Sequence, residues 1–214
     1  MHSIDPTIRD IPLALILASS SPYRRLLLER LRVPFTCVTP DIDETPVPGE
    51  APATTAMRLA REKASIVARD RPQAVVIGSD QIATLDGLQI GKPGSHVNAL
   101  RQLQSMRGRQ VIFHTALCLI DGRNGSTTPF QSVSVPTTVT FRDLPDAALD
   151  AYLLLDRPYD CAGSAKNESL GIALLERCES DDPTALTGLP LIALCGMLQR
   201  AGIALFGAAA HPLP

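Results

Sequence analysis

Strand and helix patterns alternate along most of the chain, and this alternation restricts the fold more than any other feature. Residues 13–19 form a short apolar run typical of a buried strand, and residues 22–31 follow with helical spacing. Residues 35–39 and 54–69 repeat this succession of strand and helix. Turn residues separate the segments, so we expect an α/β or α+β domain built on a mixed sheet flanked by helices.

The alternation continues through the C-terminal half. Strands are predicted at residues 74–85 and 88–92, joined by a two-residue hairpin turn at Asp86-Gly87. Further strands are expected at 111–120, 133–141 and 172–175, and further helices at 95–106, 145–155 and 189–201. Between the first two helices, residues 40–50 are rich in proline and carboxylates, which predicts a solvated loop.

Length and composition favour one globular domain. A chain of 214 residues, 45% of them hydrophobic, can bury a sizeable core. The prediction is a single domain over residues 13–206, with a flexible extension at 1–12 and a loose tail at 207–214. The five cysteines are scattered and form no CxxC pair, so we expect ordinary interior thiols rather than disulfides or a zinc site.

The charge balance excludes several classes of partner. The formal net charge is −2, which gives no basic field for a nucleic acid polymer or an anionic membrane, so a small molecule is the expected partner. The longest apolar runs fall well short of the roughly 20 residues that span a bilayer. Residues 1–12 carry acidic and basic side chains without an apolar core, so no secretory signal and a cytoplasmic location are expected.

The first helix begins with a candidate anion site. Ser21 is a good N-cap and Pro22 suits the first helical position. Arg24 and Arg25 then lie in the first turn, where cations oppose the helix dipole unless an anion such as phosphate lies between them. A plainly capped helix with two solvated arginines explains the same residues.

Lys63 falls within the apolar face of the helix predicted at 54–69. An ammonium group on that face must either extend out to water or find an anionic partner, because an unpaired buried charge is strongly disfavoured. The functional interpretation is a ligand phosphate. On that interpretation an apolar residue at position 63 is expected not to reduce stability.

Asp80 is a carboxylate within an otherwise buried strand, which makes it an acid–base candidate. Pairing Leu85 with Leu88 across the hairpin places Gln81 opposite Lys92, so the lysine returns close to Asp80. The two side chains then work together only if a bulge or a strand end intervenes at Gly91. A surface salt bridge explains the pair equally well. Motifs of P-loop, Rossmann, zincin and nucleophile-elbow enzymes are missing.

Seven ordered motifs resemble the Maf family of nucleotide pyrophosphatases, from about residue 15 to about residue 198. They are Leu17-Ala18-Ser19-Ser20-Ser21-Pro22-Tyr23-Arg24-Arg25, Asp43-Glu44-Thr45-Pro46, Arg61-Glu62-Lys63-Ala64, Gly78-Ser79-Asp80-Gln81, Gly91-Lys92-Pro93, Cys161-Ala162-Gly163 and Gly188-Leu189-Pro190-Leu191. The resemblance implies a Maf/ITPase-like fold: an elongated, curved mixed sheet flanked by helices, with two lobes around a central nucleotide cleft. It also implies a homodimer.

The family hydrolyses nucleoside triphosphates to a monophosphate and pyrophosphate with a divalent cation, Mg²⁺ or Mn²⁺. By resemblance, Asp80 is the general base and a metal ligand, and Glu44 acts beside the metal. The same resemblance assigns the phosphates to five residues: Ser19, Ser21, Arg24, Lys63 and Lys92.

Three positions resemble the branch of the family directed at 7-methyl-GTP, which removes modified nucleotides. They are Tyr23, Gln81 and Glu168, where many other members have Arg, Thr and Gln. The expected activity is hydrolysis of 7-methyl-GTP to 7-methyl-GMP and pyrophosphate. The alternatives are a dTTP/UTP pyrophosphatase of the same family and a non-hydrolysing nucleotide-binding regulator of cell division.

Overall fold

The structure is a computed structural model that describes residues 14–124, 126 and 129–206. The expected extension at 1–12, the tail at 207–214 and part of the turn near residue 125 lie outside these residues. Within the described residues, a seven-stranded mixed sheet carries five α-helices. The strands are β1 (Leu15–Ala18), β2 (Thr36–Val38), β3 (Val75–Leu85), β4 (Leu88–Ile90), β5 (Gln110–Asp121), β6 (Phe130–Phe141) and β7 (Leu175–Ser180). The helices are α1 (Pro22–Glu29), α2 (Pro52–Asp70), α3 (His96–Met106), α4 (Asp146–Asp156) and α5 (Leu191–Arg200).

The sheet order is β2-β1-β3-β5-β6-β7, with β4 paired to β3. β1 lies parallel to β2 and β3, whereas the other pairs are antiparallel, so the expected mixed sheet flanked by helices is confirmed. Among the described residues, no helix is both long and apolar enough to cross a membrane.

Apolar side chains form three clusters. Because side chains alternate between the faces of a strand, Val75 and Ile77 of β3 pack against α1 and α5, while Val76 packs against α2 on the opposite face. Farther along the same strand, Ala83 belongs to a separate cluster with α3 and α4. The long central strands therefore join two lobes, and Asp80 lies on β3 between them.

Two expectations about local structure are wrong. Residues 170–174 form a 3₁₀ turn rather than the start of a strand, and β7 begins only at Leu175. β7 is an edge strand with mostly exposed residues, so it lacks the apolar pattern by which a strand is predicted. Cys37 and Cys178 are exposed rather than interior, because they lie on the two edge strands β2 and β7.

The hairpin between β3 and β4 forms as predicted. Leu85 pairs with Leu88, and Asp86 and Gly87 both have positive φ, as a tight two-residue hairpin turn requires. β4 ends at Ile90, however, so the ladder stops before Gln81 could pair with Lys92. Because the strand ends before Gly91, the direction of the Lys92 side chain is not set by the alternation of side chains along a strand. A strand end at this point was one of the two conditions under which Lys92 and Asp80 were expected to work together.

Candidate active site

Two strand ends meet over the middle of β3. β1 pairs with β3 as far as Gly78, and β4 pairs with it from Ala83 onward. Since β1 is parallel to β3 and β4 is antiparallel to it, the carboxyl ends of β1 and β4 point toward each other across residues 79–82. The segments that follow these strands thus deliver their side chains to one gap in the sheet.

A cleft of about 520 Å³ opens at this gap. The structure brings all ten residues singled out from the sequence to its walls. They are Ser19, Ser21, Tyr23, Arg24, Glu44, Lys63, Asp80, Gln81, Lys92 and Glu168. They come from separate segments of the chain, so their meeting is a product of the fold.

The turn between β1 and α1 is organised by two serine hydroxyls. Ser21 caps α1, and its Oγ accepts a hydrogen bond from the backbone N–H of Arg24 at 3.3 Å. Ser19 Oγ accepts from the N–H of Ser21 at 3.1 Å and from Arg24 Nη1 at 3.4 Å. Both hydroxyls therefore lie beside the guanidinium group at the mouth of the helix.

Arg24 is held in the cleft by a backbone carbonyl. Its Nε donates to the backbone carbonyl of Gly188 at 2.9 Å. Burial lowers the pKa of Arg24, while the charges of Asp80 and Glu44 act in the opposite direction. Among the residues that the structure describes, neither Arg24 nor Lys92 forms an ion pair. Both cations are thus available to an anionic ligand.

Lys63 is buried on the apolar face of α2, as expected, and it has protein partners. Its Nζ lies 2.6 Å from Asp80 Oδ1 and 2.7 Å from Glu44 Oε1. The side chains of Lys63 and Asp80 are only 7% and 8% exposed, whereas that of Glu44 is 56% exposed. The expected role of Lys63 as an unpaired cation awaiting a ligand phosphate is therefore replaced by a pair within the protein. On this basis we now expect an apolar residue at position 63 to reduce stability, because it would leave the buried Asp80 carboxylate without this cation.

The contact between α2 and β3 depends on Gly78. A Cβ at this position would lie 2.2 Å from the backbone oxygen of Ala60 and 2.8 Å from the backbone nitrogen of Ala64. The helix therefore approaches the strand more closely than any larger residue would allow. This approach brings Lys63 within hydrogen-bonding distance of Asp80 two residues farther along the strand.

Glu44 connects the acidic loop to the centre of the cleft. Burial disfavours its charge, but the hydrogen bond from Lys63 and the charges of Lys63, Lys92 and Arg24 together lower the pKa of Glu44. The loop around it is largely exposed, as predicted. Glu44 remains a carboxylate because the surrounding cations stabilise its ionised form.

Tyr23 and Glu168 lie at the other end of the cleft. Burial raises the pKa of the Tyr23 phenol, and the neighbouring Cys161, Asp160 and Glu168 raise it further. Burial likewise raises the pKa of Glu168, with contributions from nearby carboxylates. This end holds anionic and neutral side chains, in contrast to the cations around Asp80.

Gln81 is held by the protein rather than left free in the cleft. Its Nε2, which has two hydrogens to donate, lies 2.8 Å from Thr115 Oγ1 and 3.0 Å from the backbone oxygens of Ala185 and Leu186. These bonds fix the short segment 185–187 that borders the cleft. Any effect of Gln81 on base preference would therefore act partly through the position of this segment.

Sequence reasoning assigned no role to Ser79 and Gly188. The carbonyl of Gly188 accepts hydrogen bonds from Arg24 Nε and from Ser79 Oγ, the latter at 2.8 Å. Gly188 has a φ of 107°, which favours glycine. The glycine before Leu189-Pro190 could be noticed in the sequence. Its hydrogen-bond partners could not, because they lie more than a hundred residues away in the chain.

Two further cations, Arg25 and Lys166, lie outside this arrangement. Arg25 pairs with Glu29 at 3.0 Å on the exposed side of α1. Lys166 Nζ donates to the backbone oxygen of Asp156 at 3.2 Å, near the end of α4. Arg25 is thus a solvated surface residue, and Lys166 helps to attach the segment of residues 161–171 to α4.

This chain is similar to several known proteins. Residues 14–201 match the family described as Maf-like protein. A 7-methyl-GTP pyrophosphatase of Cupriavidus metallidurans is 66% identical over 195 residues, covering 91% of this chain and 96% of that protein. A 7-methyl-GTP pyrophosphatase of Paraburkholderia xenovorans is also 66% identical, over 200 residues, with 92% and 96% covered. The solved structure of a HAM1 protein from Coxiella burnetii is more distant, with 18% identity, a TM-score of 0.44, and 62% and 75% covered.

Proposed function

The chain belongs to the Maf family, and on this premise we propose that it hydrolyses 7-methyl-GTP to 7-methyl-GMP and pyrophosphate. One observation carries the proposal: Arg24 and Lys92, which form no ion pair among the described residues, line the same cleft as the buried pair of Lys63 and Asp80. A triphosphate is the kind of ligand that such a set of cations would bind. The names of the similar proteins support 7-methylguanine as the base.

The cleft residues divide the reaction between them. Arg24 and Lys92 bind the phosphate chain and stabilise the negative charge that develops on the leaving pyrophosphate. Lys63 holds Asp80 Oδ1, so the second oxygen of that carboxylate is left to orient a water molecule and accept its proton. The hydroxyls of Ser19 and Ser21 lie close enough to Arg24 to bind the same phosphates.

Glu44 and Asp80 fit a divalent cation. Each gives one carboxylate oxygen to Lys63, and the second oxygen accepts no hydrogen bond from the described part of the chain. No cluster of three His, Cys, Asp or Glu side chains is placed for a metal among the described residues. Magnesium is often held by one or two carboxylates together with substrate phosphates and water. We propose Mg²⁺ or Mn²⁺ here, where it would neutralise phosphate charge.

A nucleotide panel tests the proposal. Purified protein is incubated with Mg²⁺ and each of 7-methyl-GTP, GTP, dTTP, UTP and CTP, and pyrophosphate release is measured. We expect the highest kcat/KM for 7-methyl-GTP. A higher value for dTTP or UTP would support the pyrimidine-directed alternative, and nucleotide binding without pyrophosphate release would support the non-hydrolysing regulator.

The cytoplasmic location and the homodimer stay predictions.

Asp80→Asn is the matched catalytic control. We expect turnover to fall by about 10²–10⁴-fold, because the amide cannot accept the proton of the attacking water. The fold should persist, since Lys63 keeps its contact with Glu44. Near-normal activity of a folded Asp80→Asn protein would remove Asp80 from the role of general base.

A further inference from the structure

Charged groups are separated along the cleft. The side chains that influence Glu44 electrostatically are Lys63, Lys92 and Arg24, which are all cations. Those that influence Tyr23 are Cys161, Asp160 and Glu168, which are neutral or acidic. The cleft is therefore positive where the phosphates are proposed to bind and negative or neutral at the opposite end.

Cys161 lies at the centre of this opposite end. Its Sγ is 3.9 Å from Tyr23 Oη and 3.6 Å from Asp160 Oδ1, and it lines the cleft beside Glu168. Burial raises the pKa of the Cys161 thiol to about 12, so the side chain is uncharged at neutral pH. The charge of Lys166 acts on both Cys161 and Glu168, but Lys166 is not among the residues that line the cleft. Its Nζ donates to the backbone oxygen of Asp156 at 3.2 Å and lies 3.8 Å from Asp160 Oδ1.

The absence of charge on Cys161 matters for the proposed substrate. Methylation at N7 gives the guanine ring a delocalised positive charge, which favours an aromatic face and nearby carboxylates. A cation at the position of Cys161 would repel such a ring, whereas it would disturb unmethylated guanine much less. A thiol is small, polarizable and uncharged, so it can pack beside both an aromatic ring and a bound base.

On the basis of the proposed function, we infer that Cys161 is a further specificity-determining residue, an uncharged contact of Tyr23 that adds no positive charge to the lining of the base end of the cleft. Its contribution is to discriminate between the cationic 7-methylguanine and neutral bases of the same shape. It takes no part in the hydrolysis itself.

The test compares 7-methyl-GTP with GTP, which differ only in the methyl group and its charge. The measured quantity is the ratio of their kcat/KM values. We expect Cys161→Lys to lower this ratio by about tenfold or more, mainly through a higher KM for 7-methyl-GTP. Cys161→Met introduces a side chain of similar length to lysine but without its charge. It should change kcat/KM for both substrates alike and leave the ratio within about twofold of the wild type.

Two further variants complete the experiment. Cys178→Lys adds the same charge on the exposed edge strand β7, at a residue that does not line the cleft, and should leave the ratio unchanged. Cys161→Arg repeats the test with a second cation, should the lysine variant fail to fold. Equal ratios for folded Cys161→Met and for either cationic variant would overturn the inference. Failure of the wild-type protein to hydrolyse 7-methyl-GTP would instead overturn the proposed function.

Discussion

Lys63 shows how a single residue can serve both the fold and the chemistry. Its buried ammonium group lies within hydrogen-bonding distance of both Asp80 and Glu44. A buried charge of this kind stabilises the protein only while its partners remain. The same cluster therefore contributes to stability and holds the carboxylate that is proposed to activate water.

A double-mutant cycle measures this dependence. We expect Lys63→Met to lower the free energy of unfolding by about 3 kcal/mol, because Asp80 is left buried without its nearest cation. In Lys63→Met/Asp80→Asn the loss should be smaller than the sum of the two single losses, by about 1–2 kcal/mol. Urea unfolding at neutral pH provides the four values. Additive losses would show that the two side chains do not stabilise each other.

The raised pKa of Glu168 predicts a pH-dependent preference. Burial first, and then the charges of Asp156 and Asp160, raise this pKa, although Lys166 and a backbone hydrogen bond oppose them. The carboxylate is therefore lost at a higher pH than in an ordinary glutamate. As the pH falls from about 7 to about 5, the protein should lose part of its preference for the cationic base.

The measurement is again the ratio of kcat/KM for 7-methyl-GTP to that for GTP, now across this pH range. Effects of pH on Asp80 or on the phosphates act on both substrates and cancel in the ratio. We expect the ratio to decline toward acid pH in the wild type and to stay flat in Glu168→Gln. A parallel decline in both proteins would assign the dependence to another group.

At the scale of elements, the packing of α2 on β3 positions the site. α2 carries Lys63 and β3 carries Asp80, and the two elements meet at Gly78. On the opposite face of β3, the hydroxyl of Ser79 lies 2.8 Å from the carbonyl oxygens of both Ala116 and Gly188 and has one hydrogen to donate between them. Gly78 thus packs β3 against α2 on one face of the strand. On the other face, Ser79 contacts the carbonyl of Gly188, which also accepts the hydrogen bond from Arg24.

Gly78→Ala tests the role of this packing. The added Cβ would overlap the backbone of α2, so the helix must move away from the strand. We expect a loss of about 1–3 kcal/mol in the free energy of unfolding and a large fall in kcat, because Lys63 would leave Asp80. Gly196→Ala in α5 is the matched control. There the nearest atom is Arg200 Nη1 at 3.4 Å, at the end of a flexible side chain.

Gly196→Ala should preserve activity and leave stability equal or higher, since alanine favours a helix over glycine by up to about 1 kcal/mol. Thermal unfolding and initial rates of pyrophosphate release provide both readouts. Full activity in Gly78→Ala would mean that the contact between the helix and the strand is not needed to place Lys63.

At the scale of the whole molecule, the cleft lies where two lobes share long strands. The clusters packed on α1, α2 and α5 form one lobe, and the cluster packed on α3 and α4 forms the other. The cleft is built on side chains that already have partners within the protein, such as Lys63 with Asp80 and Glu44. The folded state should therefore not require a bound metal ion.

Metal removal tests this separation of folding from activity. We expect a chelator to abolish pyrophosphate release while shifting Tm by less than about 2 °C, because the carboxylates keep Lys63 as a partner. Addition of Mg²⁺ or Mn²⁺ should restore the activity. Undiminished turnover after exhaustive chelation would exclude the proposed cation, and a large fall in Tm would point to a structural metal.

The sequence determined the features that depend on neighbouring residues. The succession of strands and helices, the tight turn at Asp86-Gly87 and the Ser21 cap follow from local periodicity and backbone preference. The sequence also singled out Arg24, Lys63 and Asp80. Arg24 is a cation that opposes the dipole of its helix, and Lys63 and Asp80 are charged groups in apolar segments, so each is unfavourable without a partner. The edge strand β7 escaped prediction, since an exposed strand carries no apolar alternation.

Only the tertiary structure decided which residues meet. The converging ends of β1 and β4, the approach of α2 at Gly78 and the contact of Cys161 with Tyr23 depend on strand register and helix packing between distant segments. Such contacts leave no periodic signal, because they are set by the shape of the whole core rather than by any local stretch. For the same reason Lys63, whose position on α2 was visible, acquired its carboxylate partners only when the chain folded.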